Sequence, residues 1–263
     1  MNIVSPSVEI ITEPNPLKRI ELCGRVCYKS EDRITDDSAE KFVDRLIESG
    51  HTSVLEHARI AIGCEFPCDV VSEAMASLGD TQLGGDIWPR ILFPRPGVLT
   101  INARDYLRLF PKTKAAELAK FENADNYMTV RFVCDRAIAN ELVRHRVFSF
   151  SQESTRYVNY KEGVTFVAPE PYGERLIWFT AMKEAERAYL DMIEAGCAPQ
   201  EARNVLPLST KTELVMTGTL EQWKEVLKLR RAPGAHPQMI YLMNKLVRDT
   251  NFPVEALPEG AEK

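Results

Sequence analysis

Apolar residues recur every three to four positions along much of the chain, which is the period of a helix with one buried face. The clearest stripe runs from Ala39 to Ile47, with Ser38 as the expected N-cap and Gly50 as the expected stop. Thr219 and Gln222 form a capping-box pattern at the start of another helix. The same period predicts further helices over residues 16–27, 69–78, 135–144, 174–195 and 239–247, and a short one that begins at Pro199.

Alternation of apolar and polar residues predicts strands elsewhere. Ile60, Ile62, Cys64 and Phe66 alternate with more polar neighbours, as in a half-buried strand. Residues 129–134 and 212–217 are further predicted strands, and the polar stretch 149–157 is expected to be extended. Mixed helices and strands indicate an α+β or mixed α/β fold.

Residues 80–126 differ in character from the rest. They hold the Gly84-Gly85 pair, four prolines and then a polar helical piece over 112–122. We expect an inserted surface excursion without a core of its own. The chain is therefore predicted to be one catalytic domain over residues 1–263, with a loose tail at 253–263.

Composition narrows the class of protein. The 263 residues include 44% hydrophobic and 27% charged residues, which is typical of a globular chain. The net charge of −5 disfavours a protein that coats nucleic acid or an anionic membrane, although it does not bear on small anionic ligands. No apolar stretch approaches 18 residues and no secretory signal is visible, so a cytoplasmic protein with reduced cysteines is expected.

Metal ligands are not indicated by spacing. Cys23 and Cys27, like Cys64 and Cys68, are separated by three residues, which is a poor zinc-knuckle spacing. The four histidines form no His-x-x-x-His pair. No metal site is predicted.

The stretch from Arg144 to Tyr157 concentrates the candidate chemistry. Arg144, His145 and Arg146 stand at the predicted end of a helix, with Glu141 one turn earlier. In an extended chain, Gln152, Ser154 and Arg156 would share one face and offer an amide, a hydroxyl and a guanidinium to one ligand. A phosphate is bound by such groups.

Two other interpretations apply to these residues. Cations are common at helix C-termini because the helix dipole favours them, so the arginines could be solvated or structural. Ser154 could be a nucleophile, but no carboxylate at a diagnostic spacing completes a triad with His145. His51 and His57 could be helix-end or core histidines, and His236 could cap the last helix.

Four segments together carry a family resemblance. Arg-His-Arg, seven residues, Ser154 and then Arg156 resemble the signature of flavin-dependent thymidylate synthases. Residues 50–57, Gly-His-Thr-Ser-Val-Leu-Glu-His, resemble the family's Gly-His-x-Ser/Thr-x-x-Glu-His segment. Residues 202–207 resemble its Ala-Arg-x-Val-Leu-Pro segment, and Leu229-Arg230 with His236 and Gln238 resemble its Leu-Arg…His-x-Gln region near the end. The four segments occur in order over most of the chain.

The resemblance implies a fold, a reaction and cofactors. The fold would have a central, mostly antiparallel sheet flanked by helices. The reaction would be reductive methylation of dUMP to dTMP, with methylenetetrahydrofolate as carbon donor, NADPH as reductant and FAD as the hydride carrier. The protein would be a homotetramer whose active sites combine residues of several subunits, with no nucleic-acid or membrane partner.

The resemblance also implies site residues. Arg230 would be catalytic, stabilising charge on the uracil imide, because an arginine cannot be a general base at neutral pH. The implied dUMP-binding residues are Glu141, Arg144, Gln152, Glu153, Ser154, Thr155, Arg156, Arg203 and Arg230. The implied FAD-binding residues are Ser53, Arg144, His145, Arg146, Gln152 and His236.

The chain departs from the family pattern at some of these places. Glu141 stands where many members have Gln, so its carboxylate is expected to face the ring or an arginine. Cys27 stands where serine is frequent, and Thr219, Glu221 and Glu225 replace residues that normally touch flavin. The alternative function is a non-catalytic nucleotide- or RNA-binding protein that uses the same arginines.

Overall fold

The computed structural model describes residues 1–63, 92–95, 98–169, 175–253 and 256–258. The described α-helices are α1 Pro16–Tyr28, α2 Ser38–Glu48, α3 Ala103–Leu109, α4 Ala115–Leu118, α5 Arg136–Leu142, α6 Arg175–Glu194, α7 Pro199–Ala202, α8 Leu220–Arg230 and α9 Pro237–Asp249. The described strands are β1 Asn2–Val4, β2 Ser7–Ile11, β3 Arg59–Gly63, β4 Leu92–Arg95, β5 Val98–Asn102, β6 Glu122–Asn123, β7 Tyr127–Asp135, β8 Ser149–Gln152, β9 Thr165–Val167 and β10 Lys211–Thr219. Short 3-10 helices cover Glu31–Arg33, Thr52–His57 and Arg203–Val205.

Most predicted helices are confirmed, with boundaries close to those expected. The Thr219–Gln222 capping box is present, since Thr219 accepts from the Gln222 amide at 3.1 Å and the Gln222 side chain accepts from the Thr219 amide at 2.8 Å. Pro199 begins α7, as expected. The predicted helix over 69–78 lies outside the described residues.

The predicted N-cap of α2 is wrong by one residue. Asp37 occupies the N-cap position, and the Ser38 hydroxyl instead accepts from the Thr35 amide at 2.8 Å and donates to Glu21 at 2.8 Å. The predicted stop at Gly50 is confirmed. Gly50 has a φ of 73°, and its amide donates to the Ile47 carbonyl.

Two four-stranded sheets and one two-stranded sheet organise the described residues. One sheet has the order β2-β7-β10-β8, with antiparallel pairs β2-β7 and β8-β10. The second has the order β4-β5-β3-β6 with antiparallel pairs throughout, whereas β1 and β9 pair in parallel. This mixed fold, with mostly antiparallel sheets flanked by helices, confirms the predicted fold class.

The sequence pattern misjudged three regions. The extended stretch expected over 149–157 ends as a strand at Gln152, because residues 155–157 form a turn. The short strands β1, β2 and β9 were not predicted, because segments of three to five residues carry too little periodicity. The polar helix expected over 112–122 is only the four residues of α4.

The described part of the expected insertion is not a surface excursion. Ile101, Ala103, Leu107 and Leu109 are buried, as are Ala115 and Leu118 in α4. They share one apolar cluster with buried residues of α1, α2, the 3-10 helix Thr52–His57 and β3. The segment therefore supplies core to its surroundings.

The chain forms two compact units. One comprises residues 1–11, 26–30 and 129–263, and the other comprises residues 12–25 and 31–128. The first holds a cluster of Val164, Phe166, Met182, Tyr189 and Ala202. The second holds the cluster that includes the insertion. The single domain predicted from sequence stays a prediction. Among the described helices, none is long and apolar enough to cross a membrane.

Candidate active site

The Arg-His-Arg segment forms a tight turn between α5 and β8. Asp135 begins α5 by accepting the Ile138 amide at 2.8 Å, and α5 ends at Leu142. The following backbone folds back, with the Phe148 amide donating to the His145 carbonyl at 3.0 Å. Phe148 is buried, with its ring centroid 5.0 Å from that of Trp223. This anchor leaves Arg144 and Arg146 exposed.

A glycine makes room for that anchor. Gly218 lies at the end of β10, and a Cβ at this position would overlap the Phe148 ring. The close approach of Phe148 to the backbone therefore requires glycine at position 218. β10 thus fixes one end of the Arg-His-Arg turn.

Arg230, the last residue of α8, donates hydrogen bonds to Glu141 and to His145, which lie on either side of Arg144 in the sequence. Its Nη1 lies 2.8 Å from Glu141 Oε2, and its Nη2 donates to the Glu141 carbonyl at 2.9 Å. Its Nε donates to His145 Nε2 at 2.9 Å. Glu141 thus faces an arginine, as its carboxylate was expected to do.

Arg230 keeps donor capacity after these three bonds. A guanidinium carries five N–H donors, and the described residues accept three of them. The side chain is 15% exposed. The remaining donors are held in a fixed orientation, which suits charge stabilisation on a bound ligand.

His145 is neutral in this arrangement. Burial lowers the pKa of His145, and the neighbouring Arg230 charge lowers it further. Because Nε2 accepts from Arg230, the proton of the neutral ring is on Nδ1. His145 therefore accepts a hydrogen bond from Arg230 and helps to hold the guanidinium in place.

Ser154 organises the second half of the motif through its own turn. The Ser154 hydroxyl accepts the Arg156 amide at 3.3 Å, and its carbonyl accepts the amides of Tyr157 and Val158. The turn ends the alternation, so the single extended face expected for Gln152, Ser154 and Arg156 is wrong. Side-chain hydroxyls of this kind commonly stabilise turns.

Arg156 lies beside the segment that carries Arg203. Its Nε lies 3.3 Å from Gln200 Oε1 in α7. Arg203 follows α7 directly and is three residues after Gln200, which places the two side chains on one side of the helical turn. Arg156 therefore contacts the segment that leads into Arg203.

Three other predicted dUMP residues are less accessible to a ligand because they are wholly or partly buried. Glu153 is 2% exposed, and its carboxylate accepts from Tyr160 Oη at 2.8 Å and Lys211 Nζ at 2.8 Å. Thr155 is buried. Gln152 is half-buried and lies 3.3 Å from Thr212 Oγ1.

An ion cluster around the buried Glu213 adjoins this turn and was missed from the sequence. Glu213 of β10 pairs with Lys29, Arg131 and Lys211. Burial alone would raise the pKa of Glu213, but hydrogen bonds from Lys211, Lys29 and Arg131 and the Lys211 charge lower it to about 2. The Glu213 carbonyl also accepts the Glu153 amide at 2.8 Å. The available signal was a charged pair two residues apart, with Lys211 just before the predicted strand 212–217 and Glu213 within it.

Two further predicted flavin residues, Ser53 and His236, lie on elements outside the Arg-His-Arg turn. Ser53 is exposed in the 3-10 helix Thr52–His57, where His57 is fully buried and His51 is exposed. His236 is at the N-cap of α9 without a side-chain cap bond, and lies close to Asp135. Within the described ranges, no cluster of His, Cys, Asp or Glu could hold a metal ion.

The exposed arginines give the site its electrostatic character. Arg144, Arg146 and Arg203 are exposed and make no side-chain hydrogen bond or ion pair with another described residue. Among the described residues, the Arg156 side chain donates to the Gln200 amide oxygen and its guanidinium lies over the Tyr157 ring. Guanidinium groups without a carboxylate partner are available for phosphate or another anion. The described arginines therefore have the charge and exposure that suit a small anionic ligand.

Comparison with known proteins identifies the family. The family model described as "Thymidylate synthase complementing protein" matches residues 9–76 and 121–253. The chain belongs to this family, the flavin-dependent thymidylate synthases. The enzyme class predicted from the motifs, a methyltransferase that depends on a flavin, is confirmed.

Curated relatives agree with the family model. A flavin-dependent thymidylate synthase of Corynebacterium efficiens is 29% identical over 198 residues, covering 65% of this chain and 78% of that protein. One from Geobacter sulfurreducens is 23% identical over 246 residues, covering 89% and 77%. A probable flavin-dependent thymidylate synthase of Paramecium bursaria Chlorella virus 1 is 30% identical over 142 residues, covering 47% and 65%.

Proposed function

We propose that this chain methylates dUMP to dTMP, with methylenetetrahydrofolate as carbon donor, NADPH as reductant and FAD as cofactor. It would act in the cytoplasm as a homotetramer with shared active sites. The observation that carries the proposal is the set of exposed arginines without acidic partners beside an Arg230 that is locked in place. The family relationship favours this enzyme over a non-catalytic RNA- or nucleotide-binding protein.

The phosphate of dUMP is assigned to the Ser154 turn. Arg156 and Arg203 would supply two guanidinium groups, and the Ser154 hydroxyl would donate its O–H while its oxygen accepts the Arg156 amide. Because the Arg156 contact to Gln200 at 3.3 Å is weak, the side chain can move to a stronger acceptor at low cost. Thr155 and Glu153 would support this turn from below, given their burial.

The uracil ring is assigned to Arg230 and Arg144. Arg230 would use its two remaining donors on the ring carbonyls, and its charge would stabilise the imide as negative charge develops. Glu141 would hold Arg230 and place its acceptor beside the same ring. Gln152 would contribute an amide from the end of β8.

The flavin is assigned to Ser53, Arg144, His145, Arg146, Gln152 and His236. When bound, the flavin supplies the hydride that reduces the transferred one-carbon unit. The donor set fits such a group, because the exposed guanidinium groups of Arg144 and Arg146 can neutralise a pyrophosphate or an anionic reduced ring. Arg144 would therefore contact both the flavin and the nucleotide.

A cysteine nucleophile is not required by this proposal. Burial raises the pKa of the Cys134 thiol and of the Cys27 thiol. Cys27 is the described cysteine that adjoins the Ser154 turn, since its carbonyl accepts the Ser154 amide at 3.0 Å. A protonated thiol is a poor nucleophile, so these two are unsuited to attack on the ring.

Flavin content and tritium release test the proposal together. Purified protein should be yellow, and it should release tritium from dUMP labelled at C5 when given NADPH and methylenetetrahydrofolate. Colourless protein that stays inactive after reconstitution with FAD contradicts the proposal. RNA binding with a steep salt dependence and no flavin would favour the alternative function.

A further inference from the structure

The segment that the family model leaves unmatched, residues 77–120, contacts a motif segment directly. Its helix α3 is capped by Asn102, whose side chain accepts the Asp105 amide at 2.9 Å. The Ala103 amide donates to the Ala58 carbonyl at 3.0 Å, and Asn102 is paired with Arg59 in the β3–β5 register. The start of α3 is therefore fixed to the end of the 3-10 helix Thr52–His57.

One side chain of α3 extends this link into the motif. Arg104 Nη1 forms an ion pair with Glu56 Oε1, and the two side chains are 29% and 16% exposed. Glu56 is the acidic residue of the segment Gly50–His57, and Ser53 lies one helical turn before it. Beneath them, Leu107 and Leu109 share a core cluster with Val54 and Leu55.

We propose that Arg104 is a positioning residue for the flavin site, acting through Glu56 to hold the 3-10 helix that presents Ser53. This inference rests on the proposed function, because Ser53 is assigned there as a flavin contact. The backbone hydrogen bonds of a 3-10 helix have poorer geometry than those of an α-helix, so a side-chain ion pair at Glu56 can contribute to its orientation. Arg104, which lies in the insertion, thereby contributes to cofactor binding through its contact with Glu56.

The test compares FAD affinities, measured by quenching of flavin fluorescence on the purified full-length chain. Arg104→Gln should weaken FAD binding by at least about tenfold, the scale of a lost hydrogen bond between charged groups. Arg104→Lys, which keeps a charge-assisted bond to Glu56, should restore most of the affinity. Arg108→Gln is the matched control, because Arg108 is one turn further along α3 and pairs with Asp105 at 3.2 Å instead.

A double-mutant cycle separates positioning from general destabilisation. If Arg104 acts through Glu56, Arg104→Gln should cause no further loss of FAD affinity in a Glu56→Gln background. Additive losses, or an Arg104→Gln affinity equal to that of wild type, overturn the inference and leave the proposed function intact. A folded wild-type chain that binds no FAD overturns the proposed function and this inference together.

Discussion

Arg230 donates to both the side chain and the backbone of Glu141, through Nη1 at 2.8 Å and Nη2 at 2.9 Å. The two bonds fix the guanidinium at the end of α5, beside the exposed Arg144. A residue that departs from the family pattern therefore positions the arginine to which the imide chemistry is assigned. The carboxylate at 141 is compatible with the site because Arg230 neutralises it.

Removing the acceptor at position 141 should impair turnover. Glu141→Leu should lower kcat/KM for dUMP by at least about tenfold, since a hydrogen bond to a charged group is worth about 1.5–3 kcal/mol. Glu141→Gln keeps an acceptor and should lose much less. Tritium release from dUMP measures both variants. Glu184→Leu, which removes a surface partner of Arg187, is the control. Equal losses for Leu and Gln would show that charge alone matters.

Arg156 should be needed for the nucleotide and not for the flavin. Arg156→Ala should weaken dUMP binding by about 2–5 kcal/mol, the scale for removing one member of a desolvated charge pair. FAD affinity should stay at its wild-type value. Isothermal titration with dUMP measures the first effect, and flavin fluorescence measures the second. Arg187→Ala removes another exposed arginine and should change neither. Unchanged dUMP affinity in Arg156→Ala would make Arg156 structural.

His145 should make stability depend on pH in acid. Its pKa is lowered in the native state, whereas the unfolded chain takes up a proton near the ordinary value of 6.5. Its contribution to the free energy of unfolding is thus complete above about pH 6.5 and is lost as the pH falls through the native pKa. His145→Gln keeps an acceptor for Arg230 and should flatten that part of the profile.

Urea unfolding, followed by tryptophan fluorescence at one fixed protein concentration, measures this dependence. His51→Gln serves as the control, because His51 is exposed. Identical profiles for wild type and His145→Gln would show that the native and unfolded states bind the proton at position 145 equally.

The carboxylate of Glu213 should be a large stabilising element. Glu213→Gln leaves Lys29, Arg131 and Lys211 together without their shared anion, which should cost about 3–5 kcal/mol. Because the native pKa is about 2, the wild-type advantage should be complete above pH 4.5 and shrink towards pH 2. Urea unfolding of the exposed control Glu194→Gln should match wild type. A loss no larger than that of the control would contradict the cluster's role.

Gly218 and Phe148 should behave as a coupled pair. Gly218→Ala should destabilise the protein by about 1–3 kcal/mol through overpacking against the Phe148 ring. In a Phe148→Leu background the smaller side chain leaves room, so the added methyl should cost much less. A double-mutant cycle of unfolding free energies measures the coupling. Additive effects would show that the ring moves aside without cost.

Periodicity was sufficient for the long elements and failed where tertiary contacts decide the conformation. Strong helical stripes gave α2, α6 and α9, because a buried face of ten or more residues repeats the signal several times. The turn after Gln152 depends on the Ser154 hydroxyl and on the Cys27 carbonyl, which is distant in sequence. The core role of Leu107 and Leu109 was hidden by the prolines and glycines that precede them.

The site residues also divide into those that a local motif predicts and those whose roles depend on tertiary contacts. The family motif predicted Arg144, Ser154, Arg156 and Arg203, all of which lie in one compact unit. A single sequence could not show that the Glu153 carboxylate accepts hydrogen bonds from Tyr160 and Lys211, because these contacts depend on how β8 and β10 are paired. The same holds for the bond between Arg230 and His145, which joins positions 85 residues apart.

One continuous segment, residues 211–230, supports both halves of the site. Its first strand residues hold the Ser154 turn through Glu213, and its last strand residues and α8 hold the Arg-His-Arg turn through Gly218 and Arg230. Between them, the β8–β10 register pairs Gln152 with Leu214 and Ser149 with Thr217. At about 3.3 Å per residue, those three steps set a spacing of about 10 Å. The separation of the Arg-His-Arg turn from the Ser154 turn along β8 is therefore a property of strand register, and one inserted residue in either strand would change how both turns are held against β10.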